Sequence, residues 1–551
     1  MSQELAPAGF PAGIDFAQLA RPEAWPGDPS AAAGVEWVQT HLSHVFLTGE
    51  RVYKFRKAVD LGFVRFAARE ERNADCLREV ALNRRLAPDV YLGVAPLRPG
   101  PGGARVGDPG EALAGPGEHC VVMRRLPAGG DALSLLADGR LSAEHLDLVA
   151  ERVARFHAEH GLGAPAPFSP QEWLARARAP VLANFDSLAE AKAAFAPPEA
   201  LRSLRLRSER FLAERAAAFE ARRRAGRAVD GHGDLHLQHV WFAGDARDPR
   251  VIDCLEFDEG LRRIDAASDV AFLAMDLAYR GERALAERFL RRYAREADDF
   301  DLYAVVDFFA SYRAAVRAKV AALAARDPGI DPAQRERAGE SARRHLELAA
   351  ALLDPPRRAP LVLVGGVVGS GKTTLAEALA DALGGVVVSS DRVRKRLAGL
   401  PATARRAEAP GQGLYAPAVT EGVYAALLER AAPVLDAGRV AILDATWARA
   451  EHRERARRLA AGRSVPARFL LARCAPEVAR ERLARRAARG RDASDAGPEL
   501  HAASVRAFEP LAAWPERERA EVHTDRAGWR EALGPLAEEL DLPAPRAPRD
   551  G

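Results

Sequence analysis

The stretch GGVVGSGKTTL, residues 365–375, satisfies GxxxxGK[ST] from Gly366 to Thr373, with an apolar strand-like run before it and the helical run TTLAEALADAL after it. Residues of these types at this spacing hold phosphate. Gly366, Gly369 and Gly371 let backbone N–H groups turn inward around a polyphosphate, Lys372 reaches the terminal phosphates, and Thr373 offers its hydroxyl to Mg²⁺. Ser370 and Thr374 border the cradle and belong to the same nucleotide-binding set, so ATP and Mg²⁺ are the expected cofactors. Three further groups of residues could act on that phosphate. Asp391 and Arg394, in SSDRVRKRL, follow the next strand-like run, where a carboxylate can take a hydroxyl proton and an arginine can grip an acceptor or phosphate oxygen. Asp444 ends VAILD and is placed to hold the Mg²⁺ water shell. Arg482, Arg485, Arg486 and Arg489 recur at i, i+3, i+4 and i+7 and so share one helical face; Arg482 and Arg486 are the candidates for neutralising a transferring phosphoryl group.

The elements that must carry these residues alternate strand and helix. LVLVGG, GGVVVSSD, RVAILDAT and PARFLLAR read as buried strands separated by helical segments, the grammar of a parallel sheet with helices on both faces. Upstream of the proline-broken, charged segment DPPRRAP (354–360) the pattern differs. VEWVQTH, HVFLTG and RVYKFRK read as an antiparallel meander, residues 67–86 as a helix, and YLGVAPLR and HCVVMRRL as two more strands joined by a Gly/Pro-rich loop. Helical periodicity then runs from Ser142 to about Ala225 and resumes after VIDCLEF as far as Ala351. The chain is therefore an α/β multidomain protein, with residues 1–353 as a first domain, 354–360 as a linker, 361–540 as a second domain and 541–551 as a disordered tail.

Composition narrows the class further. The chain has 551 residues and a formal net charge of +3, and a nearly balanced charge argues against reading each arginine cluster as a nucleic-acid site. Cys76, Cys120, Cys254 and Cys474 stand far apart, which indicates neither a zinc site nor a disulfide framework. No basic n-region with an apolar core opens the chain, and no apolar run approaches the roughly 20 residues of a spanning helix. A cytoplasmic protein without a membrane partner is expected. Only six lysines persist in this arginine-rich chain, Lys54 and Lys372 among them.

HGDLHLQHV (232–240), followed by VIDCLEF and RRIDAASDVAFLAMDL, resembles the aminoglycoside phosphotransferase-like kinases, a branch of the protein-kinase fold, over roughly residues 30–345. The resemblance implies an antiparallel-sheet N-lobe and a helical C-lobe, with Asp234 as catalytic base, Asp253 as Mg²⁺ ligand and Asp269 as a structural aspartate. It also implies that Lys54 in the third strand pairs with phosphate, that Glu79 in the next helix is its ion-pair partner, and that Met123 to Leu126 form the hinge passing the adenine. Two features depart from the family. THLSH replaces a glycine-rich phosphate-covering turn, and His239 stands where the family has a metal-binding asparagine, although Mg²⁺ prefers oxygen over imidazole. Three readings stay open: Gln238 supplies an amide oxygen, the site runs on Asp253 alone, or the domain binds its ligand without transferring phosphate. His239 itself is kept among the candidate metal ligands.

The second half, from 358 to about 530, resembles the small P-loop kinases that include polynucleotide, gluconate and chloramphenicol kinases, through the phosphate loop, the DxxR at 391–394 and the arginine-rich helix. The whole order resembles the bacterial bifunctional proteins in which an aminoglycoside phosphotransferase-like domain is fused to a P-loop kinase domain. The reading is an ATP- and Mg²⁺-dependent phosphotransferase acting on a small-molecule hydroxyl acceptor. Its alternatives are an ATP-driven regulatory switch with a ligand-sensing kinase-like domain and, ranked lower because no aromatic residues interleave with the arginines, a polynucleotide 5′-hydroxyl kinase.

Overall fold

A computed structural model describes residues 16–60, 65–100, 103–113, 117–190, 197–242, 247–402, 404, 412–489, 499–512, 514–540 and 542. The tail expected at 541–551 lies outside these residues apart from Leu542. The chain forms two compact units: residues 1–177 with 223–273, and residues 178–222 with 274–551.

The first unit is built on the meander that the alternating runs predict. Strands β1 (Glu36–Gln39), β2 (Ser43–Leu47), β3 (Arg51–Arg56), β4 (Tyr91–Gly100), β5 (Gly103–Val106) and β6 (His119–Arg124) form one antiparallel sheet in the order β1-β2-β3-β6-β4-β5. β5 lies inside the segment expected to be a plain Gly/Pro-rich loop. Residues 103–106 run antiparallel to β4, so that Leu97 pairs with Val106 and the strand shares in the core. Phe16, Trp25, Phe46, Tyr53 and Phe55 pack on one face of the sheet. Against the other face lies the helix Arg69–Asn83, whose Cys76 and Val80 meet Tyr91, Val94 and Val121. Alternation in β3 sends Tyr53 and Phe55 to the aromatic face and Lys54 to the helix side. The loop carrying HGDLHLQHV runs between two short pairs, β7 (Ala228–Asp230) with β10 (Arg263–Asp265), and β8 (Val240–Trp241) with β9 (Arg250–Val251).

In the second unit, β11 (Leu361–Gly365), β12 (Val386–Ser389), β13 (Ala441–Asp444), β14 (Ala467–Arg473) and β15 (Arg519–His523) make a parallel sheet in the order β12-β13-β11-β14-β15. Every residue of β11 is buried, as a central strand covered on both faces requires. Strand order reverses at β11, which puts the following loop at the switch point where such sheets bind ligands. The helices Val306–Arg326 and Pro332–Leu352 pack side by side in the same unit. Ion pairs tie the helix Arg283–Ala297 and the residues after it to the parallel-sheet part. Arg439 sits between Glu287 and Asp307 with four contacts of 2.8–2.9 Å. Arg430 grips Asp298 at 2.7 and 2.8 Å, Arg392 meets Glu296 at 2.7 Å, and Arg295 meets Glu377 on the phosphate-loop helix at 2.6 Å. Within the described residues no helix is long and apolar enough to cross a membrane.

Candidate active sites

The phosphate loop of the second unit joins β11 to the helix Lys372–Leu383. Its glycines are required by space as well as by rotation. A Cβ on Gly366 would stand 2.5 Å from the Ala472 carbonyl, and one on Gly371 2.8 Å from Thr524 Oγ1; Gly366, Gly369 and Gly371 all have positive φ. Thr373 Oγ1 donates to Asp444 Oδ2 at 2.8 Å, so the two oxygen groups assigned to Mg²⁺ already meet. Both are oxygen donors, the set Mg²⁺ takes, and they fit that ion. Burial lifts Asp444 to about 6, against the pull of the Lys372 charge and the Thr373 hydrogen bond. Lys372 donates to the Val367 carbonyl at 2.9 Å. Its ammonium is pushed below the ordinary lysine value by burial and by Arg486, while Asp444 and Asp391 oppose the shift. Asp391 and Arg486 therefore share the field of the loop lysine. Arg482 donates to Thr524 Oγ1 at 2.8 Å and to its carbonyl at 2.9 Å beside Gly371. Arg485 instead pairs with Glu481 on the exposed side of its helix. The side chain of Arg489 lies outside the described residues.

Arg394 is buried, donates to the Leu414 carbonyl at 2.5 Å and to Thr420 Oγ1 at 3.3 Å, and lies over the Tyr415 ring; its Nε has no hydrogen-bond partner among the described residues. Thr374 is exposed on the first turn of the helix, and Ser370 is fully buried behind the loop. The sequence reading did not anticipate three supports. Thr524 Oγ1 donates to the Ser370 carbonyl at 2.7 Å, His501 Nδ1 donates to the Val368 carbonyl at 2.8 Å, and the Val368 N–H donates to Ser504 Oγ at 3.1 Å.

In the first unit, Lys54 Nζ stands 3.0 Å from Glu79 Oε1 and 3.2 Å from Asp253 Oδ1. Residues 25 and 199 positions from the lysine thus converge on one ammonium. Burial opposes the Lys54 charge, yet Asp253 and Glu79 together raise its pKa; in turn Lys54 holds the Asp253 carboxyl far below the usual range. Asp253 occupies the left-handed region with φ 61°, and its N–H donates to the Tyr91 hydroxyl at 3.1 Å. Beneath the lysine lies a group that sequence did not single out. Arg56 donates to Asp75 at 2.7 Å, to Glu79 Oε2 at 2.6 Å, and to Glu256. Burial pushes Glu256 up to about 7, with Arg56 opposing.

Asp269 has no exposed surface and holds the HGD turn by its backbone: it accepts from the N–H groups of His232 at 2.7 Å and Gly233 at 2.9 Å, and from His157 Nε2 at 3.0 Å. Burial lowers His232 to about 4, so the ring is neutral, with Nε2 donating to the Ile252 carbonyl at 2.9 Å. Asp234 projects from this turn, and its Oδ2 is 3.6 Å from both His236 Nε2 and His239 Nδ1. His239 Nδ1 lies 2.9 Å from the Asp234 carbonyl, and Nε2 lies 3.5 Å from Asp253 Oδ2. Met123 is in β6, opposite Val52 and Tyr91 in the ladder. Asp234 and Asp253 fit a hard cation such as Mg²⁺. The imidazole of His239 does not.

A sequence model of the phosphotransferase enzyme family matches residues 50–309, and one of an AAA domain matches residues 361–511. Uncharacterized proteins of Mycobacterium tuberculosis and Mycobacterium bovis are 34% identical over 433 residues, covering 77% of this chain and 80% of theirs. The chain belongs to their family. This chain joins a phosphotransferase-family domain to a P-loop kinase domain, the order that HGD at 232–234 and the later phosphate loop imply. Among solved structures, a choline kinase of Cryptosporidium parvum aligns with 60% of this chain and 94% of its own at 11% identity and TM-score 0.37. A gluconokinase of Sinorhizobium meliloti aligns with 34% of this chain and 97% of its own at 20% identity and TM-score 0.24. This chain carries two kinase-related domains, which supports a phosphotransferase that handles ATP.

Proposed function

We propose that the chain is an ATP- and Mg²⁺-dependent kinase of a small-molecule hydroxyl acceptor, with transfer at the phosphate loop of the second unit. The observation that carries this reading is the convergence on one loop of Lys372, the Thr373–Asp444 pair and Asp391. In the proposed reaction the acceptor oxygen attacks the γ-phosphorus, the bond from that phosphorus to the β,γ-bridging oxygen breaks, and ADP leaves. Asp391 takes the hydroxyl proton, Lys372 follows the terminal phosphate, and Arg482 and Arg486 face the developing charge. Mg²⁺, when bound, would neutralise phosphate charge, with Thr373 and Asp444 as the groups that hold it. Arg394, with a guanidinium nitrogen left over beside Tyr415 and Thr420, is the residue placed to orient the acceptor.

The first unit is proposed as a second nucleotide site, in which Lys54 and Glu79 serve phosphate, Asp253 the cation, Asp234 the acceptor proton and Met123 the adenine edge. Residues 1–353 and 361–540 are retained as the proposed modules. The test is product analysis by mass spectrometry of a metabolite pool incubated with ATP. An acceptor gaining one phosphoryl group supports the reading. Phosphate release without any acceptor product supports a regulatory switch instead.

A further inference from the structure

HGDLHLQHV places the imidazole of His239 where the resembling kinases are expected to carry a metal-binding asparagine, and both ring nitrogens of His239 lie near oxygen groups. The Asp234 carbonyl can only accept, so His239 Nδ1, at 2.9 Å, must be the donor. That bond fixes the ring and leaves Nε2 as the nitrogen that faces outward, 3.5 Å from Asp253 Oδ2. The other oxygen of Asp253 is engaged by Lys54 at 3.2 Å, so Oδ2 is the one turned to the histidine. Two donors bound to one ion at about 2.1 Å, with tetrahedral or octahedral angles, stand about 3.0–3.4 Å apart. Nε2 and Oδ2 are already near that spacing.

Two more donor groups lie near His239. Asp234, His236 and His239 each bring a ligand-type atom to within 4.8 Å of the others. The His236 ring lies against that of His239 with centroids 3.8 Å apart, which limits its rotation. A backbone hydrogen bond on the far nitrogen of a histidine is the usual outer support of a metal ligand. The backbone of Asp253 is held in its left-handed conformation by Tyr91, and that of the HGD turn by Asp269.

We propose that His239 Nε2 and the Asp253 carboxylate form a site for a divalent transition-series cation in place of Mg²⁺. The proposal rests on reading the first unit as a nucleotide site, because it is there that the cation would meet phosphate. An imidazole with a carboxylate suits Mn²⁺, Fe²⁺, Co²⁺ or Zn²⁺, and affinity should rise from Mg²⁺ through Mn²⁺ to Zn²⁺.

Mn²⁺ is the probe, used on the full chain carrying Thr373→Ala so that the phosphate loop loses its hydroxyl ligand. Electron paramagnetic resonance without nucleotide should show one bound Mn²⁺ with ¹⁴N coupling, displaced by Zn²⁺ at lower concentration and by Mg²⁺ only at concentrations more than about tenfold higher, as the order of ion affinities requires. His239→Asn should remove the ¹⁴N coupling and narrow the Mn²⁺ over Mg²⁺ preference, and His239→Ala should weaken Mn²⁺ binding. Bound Mn²⁺ without ¹⁴N coupling, no Mn²⁺ binding, or an ion preference unchanged by His239→Asn would overturn the proposal. Adding a non-hydrolysable ATP analogue separates the two readings. Coupled Mn²⁺ that ignores the analogue leaves the metal site standing and removes the nucleotide site of the first unit, whereas analogue binding that is weakened by Lys54→Ala, without coupled Mn²⁺, does the reverse.

Discussion

The two candidate sites are assembled in opposite ways. At the phosphate loop the cradle is the backbone of consecutive residues, Gly366 to Thr373, and its geometry follows from glycines that no side chain could replace. At the HGD turn the working groups are side chains drawn from Lys54, Glu79, Asp234 and Asp253, and their positions depend on Arg56 and Asp269 beneath them. A backbone cradle tolerates loss of a charged side chain as a fold and fails as chemistry. A side-chain constellation built on buried charges should fail as a fold when a supporting charge goes.

Asp269→Ala is the largest break in that contrast. It leaves two N–H groups and His157 without their acceptor in a fully buried place, at a cost of about 3–5 kcal/mol in stability. Denaturant unfolding of the full chain should show this as an early transition of the first unit; a wild-type midpoint would remove the distinction. Lys372→Ala comes next. The fold should survive, and ATP turnover at the phosphate loop should fall about 100- to 1000-fold, the scale of losing one preorganised partner of developing charge. Steady-state kinetics with a matched unfolding curve checks both halves of that statement.

Acidity should separate the sites more gently. Asp444 titrates at about 6 because of its burial, so Mg²⁺–nucleotide binding at the phosphate loop should weaken as pH falls through 6. Asp253, held far below the usual range by Lys54, stays ionised there. The sign for stability is the reverse of the sign for binding. A carboxyl raised in the fold favours the folded state most below its unfolded value near 3.8, and that contribution is lost as pH rises through 6. Calorimetric titration of nucleotide between pH 5 and 8, repeated with Asp444→Asn, should show the dependence and its disappearance. The smallest effect divides one helix. Arg482→Ala should lower turnover about tenfold, the range of a single charge-assisted hydrogen bond. Arg485→Ala should stay within about twofold of wild type, because its exposed pair with Glu481 contributes little. Equal losses would return both arginines to a generic charged face.

How much of this could be read in the sequence follows from the same contrast. Gly366 to Thr373 is contiguous and has few physical alternatives, so the loop and the parallel sheet around it were legible at once. Lys54, Glu79, Asp234 and Asp253 are scattered, and it was their order, seen through a family resemblance, that identified them. Arg56 was hidden by the abundance of arginine: nothing in RVYKFRK marks the one guanidinium that buries itself among Asp75, Glu79 and Glu256. Thr524, His501 and Ser504 support the loop from more than 130 positions away and belong to no motif. β5 is hidden by composition, because glycine and proline read as loop, although GARV at 103–106 pairs with β4.

Transfer of phosphate at the second unit can be tested in a single measurement. Full-length protein and its Lys372→Ala variant are incubated in parallel with γ-labelled ATP and a pool of hydroxyl-bearing metabolites, and the label is followed by mass spectrometry. A labelled acceptor is expected with the wild-type chain, and its loss with the variant. A labelled acceptor of undiminished yield from Lys372→Ala, or label found only in free phosphate with the wild-type chain, would contradict it.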